Sequence, residues 1–141
     1  MEALLAINFY IVTILLLIIG WQDITSRLIS NHNLAFLSLA LCPMIFLSGT
    51  LPNIILSAVV LLIGFPLFLI KVLGAGDVKL IAALALACTS DSFYSFLLLT
   101  ALLGGFLALI GLFFFHKNTK EHGIPYGVAI SLAFIFSYQT V

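Results

Sequence analysis

Two aspartates, Asp23 and Asp77, have surroundings that suit acid–base chemistry. Asp23 directly follows an apolar run over residues 3–22, and Asp77 ends the sequence Gly-Ala-Gly-Asp at 74–77, where another apolar run begins. Two carboxylates held close together cannot both ionise cheaply, so they share a proton and titrate as a pair. The charged member can take a proton from water while the protonated member donates one to a carbonyl oxygen. These two residues therefore predict a hydrolysis that needs no metal, cofactor or nucleophilic side chain.

Spacing alone also allows a structural role for each aspartate. Asp23 could cap a helix or pair with Arg27 at i+4, and Asp77 could cap the helix that it begins and pair with Lys79. The two glycines before Asp77 favour a site, because they permit a close approach by another segment of chain. An apolar helix that opens with two glycines and an acid is poorly explained by stability alone.

The composition predicts an integral membrane protein. Five basic and five acidic residues among 141 give a charged fraction of 7%, and hydrophobic residues make up 64%. The mean hydropathy is +1.34, whereas a soluble domain is about half apolar and about a quarter charged. These numbers exclude a basic nucleic-acid binder, an acidic disordered tail and a disulfide-stapled secreted module. A lipid bilayer is the expected surrounding of the chain.

Charge-free stretches separated by turn-forming clusters predict an all-α bundle of six transmembrane helices. The helices are expected at 4–22, 33–47, 54–70, 78–90, 93–115 and 124–140. The fourth helix is too short for a bilayer core of roughly 30 Å, which implies that the bilayer is locally thinner or that the ends of this helix are buried in the protein. The first lacks a basic flank and a cleavage site, so we expect a retained span rather than a signal peptide. Residues 1–141 are expected to form a single domain.

All five basic residues fall in connections on one side of this arrangement. Arg27 lies in the first connection, Lys71 and Lys79 flank the third, and Lys117 and Lys120 lie in the fifth. The positive-inside rule makes that side cytoplasmic. Both termini are then extracytoplasmic, and both Asp23 and Asp77 lie at the cytoplasmic face.

Three motifs in order along the chain resemble those of the type IV prepilin peptidases, the bacterial branch of the Gly-x-Gly-Asp membrane aspartic proteases. They are Asp23-x-x-x-Arg27-x-Ile29-x-Asn31, Gly74-x-Gly76-Asp77-x-Lys79-Leu80 and Ile124-Pro125-Tyr126-Gly127. A single Gly-x-Gly-Asp would be a weak signal, whereas three ordered motifs on the expected side of the membrane are specific.

This resemblance implies an aspartic endopeptidase in the bacterial cytoplasmic (inner) membrane, with Asp23 and Asp77 as its catalytic pair. The implied substrates are prepilins or pseudopilins, whose short cytoplasmic leader, usually ending in glycine, precedes a hydrophobic helix. Five further residues are expected in the glycine loop or around the two acids: Gly74, Gly76, Lys79, Arg27 and Asn31. Lys79 and Arg27 could hold the loops or favour the charged form of a nearby aspartate, but a role as topological anchors at the membrane boundary is equally open.

Departures from the family pattern narrow the expected activity. Ser30 stands where many relatives have proline before the asparagine of the first motif. Larger bifunctional relatives carry a four-cysteine insertion and also N-methylate the new terminus, but this chain has only Cys42 and Cys88. We therefore expect peptidase activity without methyltransferase activity. The compact size resembles the small peptidases of Flp/tight-adherence pilus systems.

Other polar residues have weaker predicted roles. Asn31 could hydrogen-bond Asp23, but a cap of the second helix is favoured. The histidines are not expected to bind a metal, because no carboxylate or cysteine stands at ligand spacing. They are His32, His116 and His122. No role is assigned to Asp91 or Glu121.

Small residues in the fifth span form one helical stripe, which predicts close packing against the alanine-rich fourth span. The stripe consists of Ala101, Gly104, Ala108 and Gly111. The same stripe could pack between chains, so the oligomeric state stays open.

Two other classes of function use the same residues. A small proton-coupled transporter or channel could use both acids, but it would be expected to have ionisable groups near mid-membrane, where the predicted spans have none. A non-catalytic pilus-assembly or scaffold protein would be indifferent to Asp23→Asn or Asp77→Asn.

Overall fold

The computed structural model describes residues 2–114 and 124–139, and all regular structure in these residues is α-helical. Six helices are present there: α1 (Glu2–Ser26), α2 (Asn31–Leu47), α3 (Ile54–Leu69), α4 (Ala75–Ala85), α5 (Ser90–Phe114) and α6 (Tyr126–Gln139). The all-α prediction is confirmed for this part of the chain. The predictions for Lys117, Lys120, His116 and His122, and Glu121, to which no role was assigned, fall on residues outside the described ones.

Two of the described helices are long and apolar enough to cross a membrane by length and composition. They are Glu2–Ser26 and, within α5, Ser90–Gly111. The apolar helices α2, α3 and α6 are shorter than 18 residues, and α4 has 11 residues. At 1.5 Å per residue α4 is about 16 Å long.

The short helix α4 lies at the centre of the bundle. It packs against α3, α2 and α6, while α1 packs between α2 and α6. Leu80, Leu84 and Ala85 are fully buried within the hydrophobic core. A helix enclosed in this way has its ends positioned by several neighbours, including the first turn that carries Asp77.

The predicted packing of the small-residue stripe against the fourth span was wrong. Helix α5 packs chiefly against α6, and Gly104 of the stripe faces the ring of Tyr126. Small residues mark where a close neighbour is accommodated, but they do not specify which helix provides it.

Helix α3 is joined to α4 along its length. Gly64 of α3 is buried, and a Cβ on it would collide with Val78 of α4. Ser57 Oγ donates to the carbonyl of Ala82 at 2.8 Å. Asn53 caps α3, and its backbone N–H donates to the carbonyl of Leu86, just beyond the end of α4, at 3.0 Å. The two helices therefore form one packed hairpin.

Ends of α1 and α4, the helices that carry the two aspartates, differ from their predicted positions. Helix α1 continues to Ser26, so Asp23 lies within its last turns rather than after it. Helix α4 begins at Ala75 and ends at Ala85, well before residue 90. The chain beyond Ala85 tightens into i→i−3 bonds, and the Thr89 hydroxyl accepts from the N–H of Ser92 in α5. Hydropathy does not register the end of α4, because residues 86–88 continue its apolar run.

Helices α1 and α3 are each followed, within two residues, by a basic residue in the left-handed region. Arg27 has a φ of 55° and Lys71 a φ of 60°. The N–H of Arg27 donates to the carbonyl of Asp23 at 3.1 Å, which closes the last turn of α1. For a non-glycine residue this conformation costs about 1 kcal/mol. These turns direct the chain from the helix ends into the segments around the two aspartates.

Candidate active site

Asp23 is held by a contact between α1 and the first turn of α6. Its side chain is buried, with 7% exposed, and its Oδ2 accepts the backbone N–H of Gly127 at 2.8 Å. The first N–H groups of a helix have no partner within that helix. The carboxylate of Asp23 therefore supplies from α1 the acceptor that the start of α6 lacks.

Asp77 lies in the first turn of α4, with Gly74 as the N-cap residue. Its side chain is partly buried, and its Oδ2 lies against Gly74, where an added Cβ would be 2.9 Å away. Burial and the nearby negative charge of Asp23 raise the pKa of Asp77 to about 6, while the backbone of Gly74 opposes the rise. The two carboxylates are thus close enough to influence each other electrostatically.

The two aspartates have different surroundings. Burial raises the pKa of Asp23, and the Gly127 N–H and the positive charge of Arg27 offset part of that rise. For Asp77 the backbone of Gly74 offsets part of the rise, and no cation is among its strongest electrostatic influences. A pair with this asymmetry can hold one proton on Asp77 and one negative charge on Asp23, which is the state that acid–base hydrolysis requires.

A glycine contact joins the segments that carry the two aspartates. A Cβ on Gly76 would lie 2.9 Å from the Cβ of Ile29, a residue of the loop that follows α1. Real Cβ atoms essentially never approach so closely. Glycine at 76 therefore allows the loop after Asp23 to rest on the helix turn that carries Asp77.

The model of the type IV leader peptidase family matches residues 10–109, which is most of the chain. The chain belongs to the type IV leader peptidase family. The predicted resemblance is thereby confirmed, and family membership supports a leader-peptidase-like proteolytic function. No curated protein and no solved structure matches the chain. The matched segment contains both aspartates and ends before Gly127.

In this member of the leader peptidase family, Lys79 and Asn31 connect α4 to α2. The Lys79 Nζ donates to Asn31 Oδ1 at 3.2 Å. The prediction that Asn31 caps α2 was wrong, because the cap is Ser30, whose hydroxyl accepts the N–H of His32. The side-chain oxygen of Asn31 was expected to accept a backbone N–H at the start of α2, but it accepts from the ammonium group of Lys79 instead. Both residues are exposed, so the bond links the surfaces of the two helices beside the aspartates.

The structure adds three residues that the motifs did not assign to the site. Gly127 contacts Asp23 directly, and Asn33 Nδ2 donates to Gln22 Oε1 at 2.8 Å, which ties α2 to the turn that carries Asp23. Gly127 belongs to the third quoted motif, in which Pro125 signals the start of a helix two residues before it. Nothing in the spacing of Gln22 and Asn33 indicates their bond.

An apolar groove runs along α3 and one edge of α4, with a cavity volume of about 740 Å³. Its lining residues are Ala58, Leu61, Leu62, Phe65, Pro66, Phe68, Ala75, Val78 and Lys79. Ala75 and Val78 flank Asp77 in the sequence, so the groove begins at the helix turn that carries this carboxylate. Elsewhere in the described residues, no group of three or more metal-ligand side chains is present.

Proposed function

We propose that the chain is a membrane aspartic endopeptidase that removes the short cytoplasmic leader of type IV prepilins or pseudopilins. The observation that carries this proposal is the closeness of Asp23 and Asp77, which are distant in sequence and lie on different helices: their segments meet where Gly76 packs on Ile29, and the charge of Asp23 raises the pKa of Asp77. Membership of the type IV leader peptidase family supports the same reaction. The absence of a four-cysteine insertion leaves N-methylation outside the proposed activity.

In the proposed mechanism the ionised aspartate takes a proton from water as the water oxygen attacks the scissile carbonyl carbon. The protonated aspartate donates its proton to the carbonyl oxygen, so that a neutral tetrahedral intermediate forms. When the C–N bond breaks, the leaving nitrogen gains a proton from the aspartic acid formed in the first step. The hydroxyl proton then returns to the other carboxylate as the new carboxyl group forms, and the pair regains its starting state.

The six described helices are proposed to be the six predicted spans of one membrane domain, residues 1–141. Both termini are then extracytoplasmic, and the turns at Arg27 and Lys71 face the cytoplasm, as the positive-inside rule requires. The site would lie at the cytoplasmic face of the bacterial inner membrane. Packing of α4 among α2, α3 and α6 supports its inclusion despite its length, because burial reduces its contact with lipid.

This topology predicts which side of the membrane labels two exposed positions. Val72→Cys and Leu51→Cys are placed in a Cys42→Ala/Cys88→Ala background, since both residues are exposed and lie in connections. A membrane-impermeant maleimide should label position 51 in intact spheroplasts and position 72 only in inside-out vesicles. Labelling of position 72 from outside would overturn the proposed arrangement.

The groove beside α4 is the proposed site for the hydrophobic helix that follows the leader. The α3 wall from Ala58 to Phe68 covers about 15 Å, or about three helical turns. An apolar groove of this length suits a helix that docks through side chains on one face. Because the groove begins at Ala75, a helix lying in it would deliver the preceding segment to the turn that carries Asp77.

Co-expression with candidate prepilins tests the proposed reaction. The wild-type chain should convert the prepilin to a shorter form on a gel, and mass spectrometry should place the cut after the leader. The control is the same prepilin expressed alone. If no prepilin or pseudopilin is shortened while the protein is folded in the membrane, the proposed function is wrong.

The pH dependence of cleavage is expected to fall on its basic side near pH 6. Asp77 has a pKa raised to about 6, so it holds its proton below this pH and loses it above. Because the mechanism needs one proton on the pair, kcat/KM should decline as the pH rises through this region. A second decline at lower pH should follow protonation of the other aspartate. A rate that still increases above pH 8 would contradict the assignment.

A further inference from the structure

We propose that Gly127 is a positioning residue that makes Asp23 the ionised, water-activating member of the pair and leaves Asp77 as its proton donor. This inference rests on the proposed function, but it goes beyond it, because it assigns the two roles and gives α6 a part in catalysis. Three observations carry it: the Gly127–Asp23 hydrogen bond, the space at Gly127 and the unequal charges around the two carboxylates.

The hydrogen bond gives Asp23 a fixed donor that requires no side-chain ordering. The donor is a backbone N–H in the first turn of α6, and it lies 2.8 Å from Oδ2 in a buried contact. Hydrogen bonds that accept on a carboxylate favour its charged form. The positive end of the α6 helix dipole acts in the same direction. Protonation of Asp23 would weaken both interactions.

Space at position 127 allows this bond to form. A Cβ there would lie 2.8 Å from Asp23 Oδ2, 3.0 Å from Cγ and 3.1 Å from Cβ. The first distance is too short for any real Cβ, and the contact extends along the aspartate to its backbone-attached carbon. A larger residue would therefore displace Asp23 or the start of α6 rather than rotate a flexible side chain aside.

The charged groups around the pair reinforce the asymmetry. On α1, Arg27 favours the charge of Asp23. On α4, Asp77 faces Asp23 and repels a second negative charge, whereas Lys79 is bonded to Asn31 of α2. On α6, the group that acts on Asp23 is the Gly127 N–H. The single negative charge of the active pair is therefore better supported on Asp23 than on Asp77.

Gly127→Ala tests the proposal through the pH profile of cleavage. Loss of the N–H bond should make Asp23 easier to protonate, so the acidic limb of kcat/KM should move up by about one pH unit. That shift corresponds to about a tenfold loss of rate on the acidic side of the profile, whereas the basic limb should stay near pH 6. A merely structural role for glycine would lower the amount of active enzyme at every pH without moving the limb.

Gly20→Ala is the matched control. Gly20 lies on the same α1–α6 interface, where an added Cβ would meet the Cα of Val128 at 3.6 Å, an ordinary contact. This variant should retain the wild-type profile. If Gly127→Ala keeps an unmoved acidic limb while wild-type cleavage depends on both aspartates, the inference is wrong and the proposed function survives. Absence of wild-type cleavage would instead reject the proposed function.

Arg27→Gln keeps the proposal testable if Gly127→Ala does not fold. Arg27 acts on Asp23 through its charge, and glutamine retains most of the side-chain length. The acidic limb should move upward by about half a pH unit, with the basic limb unchanged. A shift confined to the basic limb would show that Asp23 holds the proton, and it would reverse the assigned roles.

Discussion

Asp23→Asn and Asp77→Asn are each expected to reduce leader cleavage by about 10⁴-fold, to the limit of detection on a gel. General acid–base groups contribute about 10²–10⁴-fold, and residues that act as a unit lose nearly all of that effect when one is removed. Asparagine preserves shape and can still accept the Gly127 N–H through its side-chain oxygen. It cannot take a proton from water at Asp23 or donate a carboxyl proton at Asp77.

Asp91→Asn is the control for these substitutions. Asp91 is an exposed acid in the first turn of α5, and the same change there should leave cleavage at the wild-type rate. Cleavage is followed by the prepilin gel shift, and folding is checked by thermal unfolding in detergent. A folded Asp23→Asn or Asp77→Asn variant that still cleaves at the wild-type rate would refute the catalytic pair and favour a non-catalytic role.

Gly76→Ala is expected to produce the second largest loss of activity, although it alters no ionisable group. The added Cβ would lie 2.9 Å from the Cβ of Ile29, and neither atom can rotate away because both are attached directly to backbone. Either the start of α4 or the loop after α1 must move, at a cost of about 1–3 kcal/mol in the free energy of unfolding. A displacement of about 1 Å at a reacting group can cost about 10²-fold in rate.

The measurement for Gly76→Ala is kcat/KM for prepilin cleavage together with the midpoint of thermal unfolding. Gly105→Ala provides the matched control, because a Cβ on Gly105 would meet none of the described atoms within 4 Å. That variant should keep its activity. It should also be slightly more stable, since alanine favours a helix over glycine by about 1 kcal/mol. Wild-type activity in Gly76→Ala would mean that the Ile29 contact does not position Asp77.

The general helical pattern and the closeness of the two aspartates could be predicted from the sequence. Apolar runs separated by turn-forming residues locate α2 and α3 to within a few residues, because each ends where hydropathy itself changes. The bounds of α4 could not be found in this way. Its end depends on i→i−3 hydrogen bonds in residues 86–88, whereas the apolar character continues beyond Ala85.

Contacts between helices were the least predictable part of the site. The bond from Gly127 to Asp23 joins residues far apart in the chain. Its donor is a backbone N–H, and glycine has no side chain that would indicate which residue it contacts. The pairing of α5 with α6 was missed for the same reason. Asn31 shows a related limit, because its side chain can cap a helix or accept from a cation. Only the folded arrangement, with Lys79 at 3.2 Å, selects the second.

The central position of α4 has a consequence for how the proposed six-span protein is made. An apolar segment of 11 residues is too short to enter a bilayer as an independent span, which needs about 20. Helix α3 emerges from the ribosome first and already offers Ser57 and Gly64 as partners for Ala82 and Val78. The translocation machinery would therefore have to insert α3 and α4 as a hairpin. In the proposed mechanism, proteolytic competence is then acquired only when α6, the last described segment to be synthesised, reaches Asp23.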